Sequence, residues 1–583
     1  MVQVLEEVDS APTTGVRPPR SRWWRTIVEI VSPRNLIVLT GIVLVGWLAL
    51  VPLVYLVWAT FYNGTELTLE FFARAYSAFG IGSMALNSFA FAVGSTVLST
   101  VIGTTLAYLC VRTDVPLKPL VFAASLVPLI IPGILYTISW IFLLSPRNGL
   151  INKALEPLFG PGAFDVFSLG GMVLVEGLHS SPLAFLFMYA AFRSMDPSLE
   201  ESAMMNGARL RSVLWRVTVP LARPALYAAT LVMGVRAIES FEVPALLGLP
   251  GGIYVFTSRI WYSLDQYPPA FGEAGAYAVL LLVITSLGLY WQSRLSNRRR
   301  TFQVVSGKGF RPRPMELGRL RWPAAVAILV YFVFAVVLPV LVLVYASTQP
   351  FYSVPSVESL SNMTFDNYAA VLDSNIVQRA TVNSLLLGVG SATAVMFVMA
   401  IIAWVVVRTR LRGRLVLDNL AFLPLSIPGL VMGVALLFVY LRFPIPVYGT
   451  IAILFIAYFT RYMPYGMRYA STSMYQIAAE LEESAAMCGA SWWQTFRRIY
   501  LPLLFPGLLA GWIYIVMVSF RELSSSILLY SPGNEVLSVL IFSQWENGQF
   551  TQLSALGVMM IAVLVMIVAI AQRLGARVGV RQS

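Results

Sequence analysis

The sequence predicts an all-α integral membrane protein made of two homologous six-helix halves. Three observations carry that expectation. Hydrophobic residues make up 58% of the chain and charged residues 12%, about half the charged share of a soluble protein, and the mean hydropathy is +0.76. Long uncharged runs, such as Asn35 to Phe61 and Gly557 to Ala571, match the roughly 20 apolar residues that a helix needs to cross a hydrocarbon core. The third observation is internal repetition. Asn87-Ser88, Val111-Arg112-Thr113 and Pro132-Gly133 recur 296 residues later as Asn383-Ser384, Val407-Arg408-Thr409 and Pro428-Gly429. Leu199 to Ala203 recurs as Leu481 to Ala485, now offset by 282, because the second half lacks the loop that holds Arg147 to Ser168.

Taken in order, residues 1–34 read as a cytoplasmic tail with Arg17, Arg20, Arg22, Arg25 and Arg34. The long apolar helix that follows exceeds a signal-peptide core and reads as a retained span. The first half, 35–292, holds spans at 36–58, 84–109, 120–144, 169–192, 222–243 and 273–292. A basic linker, 293–321, joins it to the second half, 322–575, with spans at 323–346, 383–407, 418–441, 448–471, 503–523 and 552–573. Residues 576–583 form a short cytoplasmic tail. Basic residues of short loops collect on one face, as with Arg209, Arg211 and Arg216 or Arg408, Arg410 and Arg412, whereas Glu66, Asp265 and Glu358 fall opposite. The positive-inside rule therefore puts both termini in the cytoplasm. It also accounts for the net charge of +12 without nucleic acid, for which no binding motif is present. Cys110 and Cys488 are too few for a disulfide framework. The single histidine, His179, excludes zinc sites of the common Cys and His type.

The long cytoplasmic loop of each half carries one signature. It reads Glu201-Ser202-Ala203, three residues, Gly207, nine residues, Val217-Thr218-Val219-Pro220 in the first half. In the second it reads Glu483-Ser484-Ala485, three residues, Gly489, nine residues, Ile499-Tyr500-Leu501-Pro502. Residues 198–206 and 480–488 have helix-forming composition with acidic first turns. Gly207 and Gly489 suit a turn, and a second short helix follows before Pro220 or Pro502 opens the next span.

This signature resembles the Glu-Ala-Ala loop of bacterial ABC import permeases, with Ser202 and Ser484 at the second position and Val217 and Val219 in place of Ile and Leu. The resemblance implies a type I ABC importer transmembrane fold. It implies contact with a cytoplasmic ATPase through Glu201, Ala203, Gly207 and Pro220 and through Glu483, Ala485, Gly489 and Pro502. Two copies of a separate ATPase would use ATP and Mg, since no phosphate-binding loop occurs in this chain and no cofactor is expected on it. An extracytoplasmic binding protein would deliver cargo, with membrane lipid surrounding the spans in a bacterial inner membrane. Fused twelve-span permeases of this kind look most like the iron(III) import family, on Glu239 to Gly248 and Phe520 to Ser524. Polyamine, thiamine, phosphonate or small organic anion permeases are relatives. A gradient-driven secondary transporter is the reading from another class, and paired ATPase-binding loops argue against it.

Ionisable residues inside spans are costly and mark function by default. The candidates for the translocation path are Glu176, His179, Arg236, Glu239, Glu242, Arg461, Arg521 and Glu522. One reading has Glu239, Glu242 and Glu522 lining a path suited to a cation. The other makes Arg236 and Glu239 a structural ion pair with the rest at the membrane edge. Neither names a metal.

Overall fold

A computed structural model describes residues 33–77, 80–297 and 314–577. Expected segments outside those residues are the tail up to position 32, positions 298–313 of the linker and the last six residues. The first half runs α1 (Pro33–Phe61), α2 (Ile81–Arg112), α3 (Lys118–Ile130), α4 (Gly133–Leu144), α5 (Leu169–Ser194), α6 (Ser198–Met205), α7 (Leu210–Glu239), α8 (Phe256–Asp265) and α9 (Phe271–Asn297). The second half repeats the order as α10 (Gly318–Ser347), α11 (Asn375–Arg408), α12 (Arg414–Ser426), α13 (Gly429–Arg442), α14 (Ile451–Tyr475), α15 (Glu480–Met487), α16 (Trp492–Phe520), α17 (Leu537–Glu546) and α18 (Phe550–Arg577).

Among the described residues, nine helices are long and apolar enough to cross a membrane, and two bent pairs qualify when each is counted as one span. Helix α14 falls short on hydropathy because Thr460, Arg461, Tyr462, Tyr465 and Arg468 interrupt its apolar residues. At 25 residues and about 1.5 Å per residue it is still long enough to cross.

The bent pairs correct the expectation of continuous helices at 120–144 and 418–441. Helices α3 and α4 meet at 107°, and α12 and α13 at 108°. The cause is local. A proline disfavours the helical region for the residue before it, and Ile131 (φ −70°, ψ 125°) and Ile427 (φ −103°, ψ 114°) are extended ahead of Pro132 and Pro428. The helices restarting at Gly133 and Gly429 are the most enclosed of the fold. Every residue of α4 is buried, as are residues 429–440 of α13.

Prolines also explain a second difference. Pro220 and Pro502 were expected to open new spans after separate short helices. Instead α7 and α16 run unbroken from the loops after α6 and α15 into the apolar spans, through π-turns at Leu214–Thr218 and Phe496–Tyr500. A third π-turn, Val333–Val337, lies within α10. Each ends two residues before a proline (Pro220, Pro502 and Pro339). Proline lacks an N–H and its ring clashes with the carbonyl four residues back, so the wider turn absorbs both defects without ending the helix.

The halves follow one another in sequence but interlock in space. Helix α1 packs on α12 and α13 of the second half as well as on its own α9, and α10 packs on α3 and α4 of the first half as well as on its own α18. The chain entering the second half is clamped beneath the first. Met315 N–H donates to Arg112 O at 2.8 Å, and Asp114 N–H donates to Met315 O at 3.0 Å. Within each half, α2 lies along α5 and α11 along α14. Small residues let the backbones approach. A Cβ on Gly103 would lie 2.5 Å from the backbone nitrogen of Phe185. Gly103→Ala is therefore expected to cost about 1–3 kcal/mol through overpacking, read as a lowered melting temperature in detergent.

Candidate functional site

Helices α6 and α15 begin with acidic first turns, Glu200 and Glu201 in one and Glu480, Glu482 and Glu483 in the other. Asp196 precedes α6 and accepts from Ser198 N–H at 2.9 Å, a bond that holds its carboxyl below the usual range. Both helices end in the same turn. Gly207 and Gly489 adopt φ of 81° and 77°, a left-handed conformation that glycine takes without a Cβ penalty. The Ala203 carbonyl accepts from Ala208 N–H at 3.1 Å, and the Ala485 carbonyl accepts from Ala490 N–H at 3.0 Å. These six-residue closures satisfy the last carbonyls of each helix.

The two adjacent glutamates of each loop face different surroundings. Glu200 is buried and accepts from Thr218 Oγ1 at 2.6 Å, with the Arg112 guanidinium 3.5 Å from its other oxygen. Arg112 also donates to Met195 O at 2.8 Å. In the second half, Glu482 accepts from Tyr500 OH at 2.5 Å. Arg408 donates to Met474 O at 2.9 Å and also to Ile477 O. Positions match through the repeat: Arg112 with Arg408, Met195 with Ile477, Glu200 with Glu482, and Thr218 with Tyr500. Four conformation-holding side chains, Arg112, Arg408, Glu200 and Glu482, were thus missed as site residues, although each lies in a repeated segment. Glu201 is half-buried and Glu483 exposed, and neither enters an ion pair among the described residues. The tips carry Met205 and Met487, 88% and 89% exposed, which is unusual for a methionine unless another surface covers it.

The ionisable residues of the spans gather where the broken helices restart. A Cβ on Gly133 would sit 3.0 Å from Glu242 Oε2 and 3.4 Å from His179 Cε1, so the Glu242 and His179 side chains come close to the backbone here. His179 lies against Tyr136, ring centroids 5.0 Å apart. On the other side, Gly429 lies under the Arg461 guanidinium. Arg461 Nε pairs with Glu522 Oε2 at 2.9 Å. Glu522 also accepts from Ser525 N–H and Ser525 Oγ, both at 3.0 Å, and from Tyr462 OH at 3.3 Å. Arg521 crosses between halves to donate to Leu129 O at the end of α3. Glu176 is buried and accepts from Ser180 Oγ at 2.8 Å and Ser240 Oγ at 2.7 Å.

The geometry sorts these residues. Glu176 and Glu522 are buried, and both oxygens of each carboxylate accept hydrogen bonds. Arg236 is solvent-accessible and Glu239 and Glu242 half-buried, and none of the three enters an ion pair among the described residues. The expected pairing of Arg236 with Glu239 is absent there, and the central ion pair is Arg461 with Glu522. No group of three or more His, Cys, Asp or Glu side chains is placed to hold a metal ion among the described residues.

The family described as "Binding-protein-dependent transport system inner membrane component" matches residues 96–302 and 396–580. A ferric transport system permease protein of Actinobacillus pleuropneumoniae is 24% identical over 91% of this chain and 76% of its own length. An Fe(3+)-transport system permease protein of Haemophilus influenzae is 22% identical over 93% of this chain and 97% of its own. A putative 2-aminoethylphosphonate transport system permease protein of Salmonella paratyphi A is 29% identical, over 28% of this chain and 62% of its own length. Among solved structures, a bacterial ABC transporter importing the polysaccharide alginate aligns with 49% of this chain and 99% of that one, at 19% identity and a TM-score of 0.36.

Proposed function

The chain belongs to the family of binding-protein-dependent transport system inner membrane components, and from that premise we propose that it supplies both halves of an importer's pore and that its cargo is iron(III). The observation that carries the cargo is coverage. Relatives named as ferric permeases align with both halves, whereas the phosphonate relative aligns with 28% of the chain. Two half-buried carboxylates without ion-pair partners, Glu239 and Glu242, supply hard oxygen atoms suited to a ferric ion. A transport path must bind weakly enough to release, so two such groups suit passage better than a closed metal cage.

In this reading the chain catalyses no reaction and holds no cofactor. Two copies of an ATPase use ATP and Mg and dock beneath α6 and α15. The exposed Met205 and Met487 supply adaptable apolar contact, with Glu201 and Glu483 beside them. An extracytoplasmic binding protein loads cargo from the opposite face. Closure of the ATPase pair moves the halves against each other as rigid bodies. The basic loops support a reading in which both termini lie in the cytoplasm, in a bacterial inner membrane.

The test is reconstitution of the chain with its ATPase and binding protein in vesicles, measuring ATP hydrolysis and radioactive iron uptake. Iron-loaded binding protein is expected to stimulate both. Stimulation by a polyamine or phosphonate instead of iron would overturn the cargo. The pair Glu201→Ala and Glu483→Ala is expected to leave the melting temperature nearly unchanged, within about 0.5 kcal/mol for surface positions, while uncoupling hydrolysis from uptake. Normal coupling in that double variant would remove these glutamates from the ATPase contact.

A further inference from the structure

A cavity of about 720 Å³ opens between α2, α7 and α9 in the first half, within the size range of about 300–1,000 Å³ typical of small-molecule sites. Its lining includes Gly234 and Ile238 of α7, Leu281 and Gly288 of α9, and Val255 and Phe256. Three of its hydroxyls are already committed. Thr96 donates to Ala92 O at 2.6 Å, Thr257 donates to Ser240 O at 2.8 Å, and Ser88 accepts from Phe256 N–H at 3.1 Å. A resident water needs two to four polar partners, so this lining suits an apolar occupant. No charged residue of the central cluster lines the cavity. It opens beside Leu86, Phe89, Val93, Val97 and Val101, all exposed on one stripe of α2. In a membrane-spanning chain that stripe faces lipid, and the cavity is continuous with it.

The repeat shows which side chains differ at the equivalent position of the second half. Thr230, Gly234 and Ile238 of α7 correspond to Trp512, Val516 and Phe520 of α16, and Val97 of α2 corresponds to Thr393 of α11. In the second half, Trp512 Nε1 donates to Thr393 Oγ1 at 3.0 Å, and Phe520 lies 3.2 Å from where a Cβ on Gly388 would be. Large side chains close that crevice. In the first half their smaller counterparts leave it open, and an empty apolar crevice would forfeit dispersion contacts along its whole lining.

We propose that this cavity is a binding site for one acyl chain of a membrane phospholipid, present in the first half and absent from the second. The chain braces α7, the helix that connects the cytoplasmic loop to Arg236 and Glu239, against α2 and α9. Occupancy is therefore felt at both ends of α7.

The full-length protein, reconstituted in phosphatidylethanolamine and phosphatidylglycerol vesicles, is irradiated with a phosphatidylethanolamine bearing a mid-chain diazirine, and adducts are mapped by mass spectrometry. Adducts are expected to concentrate on 85–97 and 230–238 over the equivalent 381–393 and 512–520. Thr230→Trp should reduce them roughly fivefold, a factor equivalent to about 1 kcal/mol. Gly234→Val, whose added Cβ has no neighbour closer than 3.6 Å, should reduce them by a similar factor. Trp512→Thr should create a second labelled site in the other half. Equal labelling of both halves, unchanged by whichever filling variant retains its melting temperature, would mean bulk lipid contact only and overturn the proposal. The readout requires no transport, so it stands or falls apart from the iron assignment.

Discussion

Arg112→Ala is expected to destabilise the protein by about 3–5 kcal/mol, because it leaves Glu200 as a buried charge without its partner. The two side chains are 1% and 3% exposed, so water cannot substitute for the lost guanidinium. Arg408→Ala is expected to cost less, about 1.5–3 kcal/mol, since Arg408 donates to backbone carbonyls and no carboxylate is stranded when it goes. Thermal unfolding in detergent measures both. Paired replacement of Arg112 and Glu200 by apolar residues of similar volume should recover most of the stability, as buried ion pairs often exchange for well-packed apolar groups at little cost. Coupled uptake should not recover, because these residues hold α6 at a fixed place beneath the bundle. Restored uptake in the paired variant would show that the contact supplies stability alone.

Glu522→Ala should have the second large effect. It removes the acceptor for Ser525 N–H and the ion-pair partner of Arg461 together. Breaking a buried pair typically costs about 3–5 kcal/mol, and the expectation here is the lower end, because the Arg461 side chain keeps 25% of its surface accessible. Glu522→Gln retains an acceptor for Ser525 and should lose about half as much, near the 1.5–3 kcal/mol of a hydrogen bond to a charged group. Glu242→Gln provides the contrast. With no ion pair to break among the described residues, it should lower iron uptake while leaving the melting temperature nearly unchanged. If Glu242→Gln instead melts early and Glu522→Gln melts normally, structural and cargo-facing roles have been assigned to the wrong carboxylates.

Much of the fold was legible because its signals are local. The repeat offsets of 296 and 282 align residues well enough that Arg112 and Arg408 donate to the matching carbonyls of Met195 and Ile477, and Glu200 and Glu482 accept from the matching hydroxyls of Thr218 and Tyr500. The boundaries expected for the loop helices, 198–206 and 480–488, lie one residue beyond the observed ones. The glycine turns also follow from sequence, since a left-handed residue ending a helix selects for glycine. The prolines are only half legible in the sequence. Pro132 and Pro428 were visible inside apolar runs long enough for one helix. Whether such a proline kinks, widens or breaks a helix depends on what the neighbouring helices accept. The outcome differs accordingly: π-turns precede Pro220, Pro339 and Pro502, and bends above 100° accompany Pro132 and Pro428.

By itself, the sequence determined the membrane environment, the two homologous halves, their paired Glu-Ser-Ala loops and the residues available for charge inside the bundle. Composition, spacing and repetition encode these directly, because each depends on residues near one another along the chain. Only the tertiary structure decided which half each leading helix packs on, which glutamate of Glu200 and Glu201 is buried, and that Arg461 rather than Arg236 holds the central ion pair. Those outcomes depend on contacts between residues tens to hundreds of positions apart. For a buried charge, the energy is set by the partner it meets and the water it loses, and neither is written in its own neighbourhood of the chain.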